Sequence, residues 1–302
     1  MSKILKFKKY IVVVSAIITS LLFGGCGAMN KFSGEVPTDQ LQVHFISVGQ
    51  GDSELIKLPT GENVLIDSGD TFAAETLLNY LKNNGVETID LAVATHPHSD
   101  HIGSMQSVME NFEVKKILRP DCDYDSLVYT DFLYSIEENG VEEIIPKPGD
   151  TFDVGDAHFE VLGPVKEYED VNNASIVLMM TYGETKFLFT GDQQADAEAD
   201  IISMGYDLNA NVLKVGHHGS DTSTSGEFIE AVRPEIAVIE VGEGNSYSLP
   251  SDGVVMNLAR RGATVYRTDQ SGNIIITSDG KKLGVFTDDT LESFSDYLFG
   301  VS

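Results

Sequence analysis

The chain has 302 residues, 42% of them hydrophobic and 22% charged, which is ample for one substantial core and excludes a disordered polymer. Asp and Glu number 47 against 20 Lys and Arg, a formal charge of −27. Such a surface repels long nucleic acids except at a local basic patch or a bridging cation.

The first residues differ in kind from the rest. Lys3, Lys6, Lys8 and Lys9 precede an apolar run from Ile11 to Phe23, then Gly24, Gly25 and Cys26. That order is the pattern of an export signal, with an apolar run short for a membrane span. The ending LFGGC is similar to a bacterial lipobox, whose cysteine becomes the lipidated first residue. The expected organisation is a signal over 1–26, a polar tether over 27–40, a folded domain over 41–283 and a tail over 284–302. Plain secretion and an uncleaved anchor are the alternatives. With Cys26 lipidated, Cys122 has no disulfide partner and reads as structural or incidental.

From Leu41 the pattern alternates apolar stretches with Gly-rich turns, predicting three successive strands with loops at 49–51 and 59–62. A helix is predicted from Phe72 to about Asn83, where Leu77, Leu78 and Leu81 recur at helical spacing and Gly85 follows. The run IDLAVATH reads as a strand. IGSMQSVMENF reads as a helix with Ile102, Met105, Met109 and Phe112 on one face. Hairpins through FDVGDAHFEVLG and SIVLMMTYGETKFLFTGD follow, then a helix near Ala195 to Met204, the strand NVLKVG, and further alternation to about Gly280. Two sheet-rich halves flanked by helices are expected, with a short amphipathic helix at the very end.

Five of the seven histidines lie at two strand ends. His96 and His98 sit just past a strand, where residues two apart point the same way and can converge on one cation. Asp100 and His101 follow and face a second cation, about 3.5–4 Å away in two-metal hydrolases. KFLFTGD ends an apolar strand in Asp192, a carboxylate suited to bridging two cations, and VLKVGHHGS ends another in His217 and His218. His44 and His158 fall inside strand patterns and read as packing or surface residues.

The stretches SVGQGDSELI, VLIDSGD, THPHSDHIGS, NNASIVLMMTYGETKFLFTGD, LKVGHHGSDTSTS and ATVYRTDQSGNI, in that order, resemble the metallo-β-lactamase superfamily, and within it the soluble ComEC-type domain of DNA-uptake channels and its stand-alone relatives. The resemblance implies an α/β fold, an αββα sandwich of two mixed β-sheets flanked by helices, with water activated by metal as the nucleophile. By it, His96 and His98 match ligands of a first metal, Asp100 and His101 those of a second, and Asp192 the bridge. His217 and His218 match a pair that either ligates metal or reaches a substrate phosphate; His217 is counted among the ligands, and Asp100, His217 and His218 among the catalytic candidates. Asp52 and Asp67 read either as groups that orient ligands or as turn-forming aspartates. Asn173 and Ser175 stand where true β-lactamases place a histidine, so β-lactam hydrolysis is not expected.

One departure stands out. Relatives read Tyr-Gly-His-Pro where this chain has Tyr247, Ser248, Leu249 and Pro250. If that histidine completes the second ion's shell, the second of two divalent ions, zinc or manganese, is held more weakly here. The expected function is an exported, metal-dependent phosphodiesterase on the outer face of a bacterial membrane, touching the membrane only through its lipid. A cell-wall or small-molecule phosphoester is favoured over long DNA. The alternative is a non-catalytic surface lipoprotein that binds a metal or ligand; a role in DNA uptake rests on family analogy alone.

Overall fold

Strand Leu41–Phe45 is buried along its whole length. Leu41, Val43 and Phe45 pack into the layer between two sheets, while His44 turns to the opposite face, where its Nδ1 lies 2.8 Å from the Tyr80 hydroxyl. The same period-two split recurs along the neighbouring strands. Ile56, Val64 and Ile66 enter the inter-sheet layer, and Leu55 and Leu65 pack outward against Leu77, Leu81, Met105 and Phe132 of the covering helices. Across the sandwich, Phe187 and Phe189 face inward, whereas Leu188 and Leu213 meet Ile201, Phe228 and Leu258. Both faces of both sheets are therefore covered, which is why these strands read as nearly continuous apolar runs.

This computed structural model describes residues 35–288 and 290. The expected signal, Cys26 and most of the tether lie outside them, as does nearly all of the expected terminal helix. In spatial order the first sheet holds Leu283–Thr287, Ile274–Ser278, Leu41–Phe45, Glu54–Lys57, Asn63–Ile66, Leu91–Val93, Lys116–Leu118 and Glu142–Ile144. The second holds Thr264–Arg267, Ile236–Ile239, Val212–Lys214, Thr185–Phe189, Val177–Tyr182, Ala157–Gly163 and Thr151–Val154. Each is antiparallel in one half and parallel in the other. Helices cover the outer faces, giving the expected αββα sandwich.

The three opening strands and both hairpins occur where the pattern places them. The helix expected from Phe72 begins at Ala74, after a 3₁₀ turn over Thr71–Ala73. The helix expected through IGSMQSVMENF is two pieces, Ser99–Ile102 and Met105–Asn111. Between them Gly103 packs so closely that a Cβ would lie 2.4 Å from Thr71 N. The structure adds the helix Leu127–Asn139, capped by Ser126 and closed by Gly140 at φ 64°, and the parallel strands Lys116–Leu118 and Glu142–Ile144, the latter at the sheet edge. The final strand reaches Thr287, past the expected domain end at 283. Among the described residues no helix is long and apolar enough to cross a membrane.

Candidate metal centre

The carboxyl ends of the parallel strands from both sheets meet at one edge of the sandwich, the position where open α/β sheets bind ligands. Asn63–Ile66 delivers Asp67 there, in the left-handed region at φ 54°. The next strand, Leu91–Val93, delivers Thr95 and His96. Asp67 ties the two ends together: its Oδ1 accepts from Thr95 N at 2.8 Å and its Oδ2 from the Thr95 hydroxyl at 2.6 Å.

Hydrogen-bond partners settle which ring nitrogens face the centre. His101 Nδ1 lies 2.7 Å from Asp67 Oδ2. A carboxylate accepts, so Nδ1 carries the proton and Nε2 is directed to Asp192 Oδ2, 3.3 Å away. The Thr95 hydroxyl gives its proton to Asp67 and so accepts from His96 Nδ1 at 3.2 Å. That leaves His96 Nε2 toward His98 Nδ1 at 3.1 Å and Asp192 Oδ2 at 3.9 Å. His218 Nδ1 donates to the Glu240 carbonyl at 3.0 Å and faces Asp52 Oδ1 at 3.2 Å. Its Nε2 stands 3.3 Å from Asp100 Oδ2 and 3.5 Å from Asp192 Oδ2. His217 differs: a quarter of its side chain is exposed, Nδ1 meets the Thr222 hydroxyl at 3.1 Å, and Nε2 lies 3.8 Å from Asp192 Oδ2.

Asp192 Oδ2 is thus within 3.9 Å of nitrogens from four histidines. Ser175 and Asn173 support its turn. The Ser175 hydroxyl accepts from Asp192 N at 3.1 Å, and Asn173 Oδ1 accepts from Gln194 N at 2.9 Å. Gly191, at φ 48°, admits no side chain, because a Cβ would lie 2.9 Å from Ser175 Oγ and the Thr95 side chain. His217 and His218 both occupy the left-handed region, at φ 51° and 52°, a strain of about 1–3 kcal/mol each that surrounding contacts must hold. Glu198 does part of this, accepting from Thr224 N and from Ser225 N at 2.9 Å. Beside the turn, the segment carrying Leu249 is held by Asn245, which bonds both the Leu249 carbonyl and its N–H. The Leu249 side chain packs, half-buried, against the helix-side apolar layer of the second sheet.

These groups perturb one another strongly. Burial disfavours charge on His101, but Asp192, Asp67 and Asp52 outweigh it and hold its pKa well above the imidazole range. His218 behaves likewise, burial being overcome by Asp192 and Asp52, and its pKa rises to about 10. Burial opposes ionisation of Asp192, yet His218 and His101 keep its pKa well below the usual carboxylate range. His96 is pushed far down by burial and by His101. His98 is lowered mainly by burial.

The donor set fits a divalent cation. His101 Nε2, His218 Nε2 and Asp192 Oδ1 are buried without a hydrogen-bond partner, and oxygen and nitrogen atoms of Asp100, His101, Asp192 and His218 lie within 4.8 Å of one another. The 3.1 Å between His96 Nε2 and His98 Nδ1 approximates the edge of about 3.3 Å expected for two imidazole nitrogens on one tetrahedral zinc. Imidazole and carboxylate without thiolate suit zinc, manganese or iron.

Sequence reasoning did not single out Lys214, Glu54, Glu240 or Glu198, all of them buried. The signal was present as a charged residue inside an apolar run, in VLKVG and IAVIEVG. Cys122, the one free cysteine among the described residues, is half-buried, and burial pushes its thiol pKa up. His158 is exposed and pairs with Asp153 at 2.7 Å.

Residues 46–242 match the model of the metallo-beta-lactamase superfamily, and the chain belongs to that family of metallo-hydrolases. Among its relatives, it is 33% identical to ComE operon protein 3 of Bacillus subtilis over 77% of this chain and 32% of that protein. It is 31% identical to competence protein ComA of Neisseria gonorrhoeae over 78% of this chain and 32% of that one. The chain thus spans about a third of the length of these relatives. In fold it is similar to the metallo-beta-lactamase fold protein YhfI of Bacillus subtilis, with TM-score 0.54 and 12% identity over 79% of this chain and all of that one.

Proposed function

We propose that the protein is a metal-dependent phosphodiesterase. The observation that carries this reading is the convergence of four histidines and Asp100 on Asp192, with buried ring nitrogens left unpartnered. His96 and His98 would hold one cation, Asp100, His101 and His218 a second, with Asp192 between them. Divalent cations, when bound, supply Lewis acidity toward a phosphoryl oxygen and bring the pKa of water near neutrality.

The chain's own groups do the rest. Asp67 and Thr95 fix the tautomers of His101 and His96. His217, partly exposed and steadied by Thr222, presents Nε2 as a proton donor for a leaving alkoxide. A cavity of about 600 Å³, lined in part by Cys122, Tyr168, Val171 and Ala174, is walled by the segments that lead into Tyr124 and Asn173. Tyr124 lies against His98, with ring centroids 5.3 Å apart. This cavity offers space for the organic part of an ester.

Strong acidity supports a small or wall-bound phosphoester over long DNA. The resemblance to the ComEC-type domain of DNA-uptake channels, with competence protein ComA among the relatives, supports a second substrate class, DNA. Lys3 to Lys9 and LFGGC support export and lipidation at Cys26. The packing of Leu249 supports a weaker second ion, and in the extreme a non-catalytic binding protein. The test is metal analysis of the purified protein, then phosphodiester, phosphomonoester, DNA and β-lactam substrates with and without added manganese or zinc. Phosphodiester turnover that rises with metal, needs less metal in Leu249→His and vanishes in Asp192→Ala is the expected result. A protein that stays metal-free after loading, or turns over nothing in the panel, refutes it.

A further inference from the structure

Beneath the histidines lies a second cluster that the chemistry above does not use. Asp52, Glu54 and Glu240 are buried, and carboxylate oxygens from all three lie within 4.8 Å of one another. Glu54 Oε2 and Glu240 Oε2 have no hydrogen-bond partner. One cation of the chain enters this trio and pairs with Asp52: Lys214, the last residue of strand Val212–Lys214, only 1% exposed. Val212 faces the inter-sheet layer and Leu213 the helix side, so the period-two alternation sends the Lys214 side chain between the sheets, at the end where the histidines meet.

Its ammonium makes a close ion pair with Asp52 Oδ2 and donates to the Gly191 carbonyl at 3.3 Å. Both partners lead directly to the metal centre. Asp52 Oδ1 faces His218 Nδ1 at 3.2 Å, and Asp52 N donates to the Asp100 carbonyl at 3.1 Å. Gly191 precedes Asp192, and its carbonyl also accepts from His217 N at 3.3 Å. A buried lysine is a poor way to stabilise a strand, because an apolar residue of similar volume avoids the desolvation of its charge. Its placement is explained by what it holds.

We propose that Lys214 is a positioning residue of the metal centre: clamping Asp52 and the Gly191 carbonyl, it fixes the His218 ring and the Asp192 turn in the geometry that receives the second ion. The metal half of this rests on the function proposed above; the ring-orienting half does not.

Two variants test it, Lys214→Met and the charge-balanced Asp52→Asn/Lys214→Met, which stays foldable if the single change leaves Asp52 too costly to bury. The first readout is the hydrogen-bonded Nδ1–H proton of His218 in metal-stripped full-length protein, seen by NMR as a slowly exchanging downfield resonance absent from His218→Gln. It should be present in the parent and lost or fast-exchanging in both variants. The second is stepwise manganese and zinc affinity. The second ion should weaken by about 10–100-fold, the range for loss of groups that orient ligands, while the first stays within about threefold. A folded variant that keeps the resonance and the parent's second-ion affinity overturns the proposal, as does equal weakening of both ions. If the parent binds no ion, the metal reading fails alone, and the His218 resonance still decides the role of Lys214.

Discussion

Replacing Asp67 by Asn should disable two candidate metal ligands, His101 and His96, without touching a cation. The backbone tolerates the change, because Asp67 sits at φ 54° and Asn is among the few residues at home there. Thr95 N, 2.8 Å from Oδ1, requires an acceptor at that atom, so the new amide nitrogen must take the place of Oδ2. It then points a donor at His101 Nδ1, at 2.7 Å in the parent, and another at the Thr95 hydroxyl, at 2.6 Å, which must turn its own proton toward His96 Nδ1. His101 can satisfy it only by moving its proton to Nε2, the atom that faces Asp192 at 3.3 Å. Restoring the ligating tautomer means setting two donors against each other and losing a hydrogen bond to a charged group, about 1.5–3 kcal/mol. That corresponds to an affinity about 10–150-fold weaker for the ion that His101 would hold, and the turned Thr95 hydroxyl weakens the ion that His96 would hold as well. Titration of metal-stripped protein with manganese or zinc against a chromophoric chelator measures it. A folded Asp67→Asn protein that binds both ions as the parent does would refute the tautomer argument.

Three further outcomes are expected. His44, buried and close to Lys57, has its pKa lowered to about 3; because the folded value lies below the unfolded one of about 6.5, stability is intact above that pH and falls as pH drops toward 3. The loss from this group is about 2 kcal/mol between pH 7 and pH 5, and urea titrations should show the parent's stability change over that range differing from that of His44→Gln by this amount. Glu198→Gln places a donor against Thr224 N or Ser225 N and should loosen the turn carrying His217 and His218 by about 1–3 kcal/mol, read as faster amide exchange at those two residues. Cys26→Ser should release the protein from membranes or block its processing; unchanged size and membrane retention reject lipidation.

Much of the fold was legible in the sequence, because burial on both faces leaves a strand as an apolar run, and a turn at its end leaves Gly and Asp. The candidate ligands were legible for the same reason. His96, His98, Asp192, His217 and His218 stand just after apolar runs, at the one place in an α/β sandwich where polar side chains from many strands can meet. Periodicity also lay in Tyr129, Phe132 and Ile136 of the added helix, spaced at helical intervals and buried together, though no ligand drew attention to them. What tertiary structure alone decided is the protonation and aim of each ring. His217 and His218 are neighbours with the same side chain and nearly the same backbone angles, yet one rests on a threonine hydroxyl at the surface and the other on the Glu240 carbonyl and Asp52 in the interior. Thr222 is local to His217, but Glu240 and Asp52 lie at a strand end and in a loop far from His218 along the chain. An imidazole puts its proton where an acceptor waits, and no local pattern in a sequence says which acceptor folding will bring.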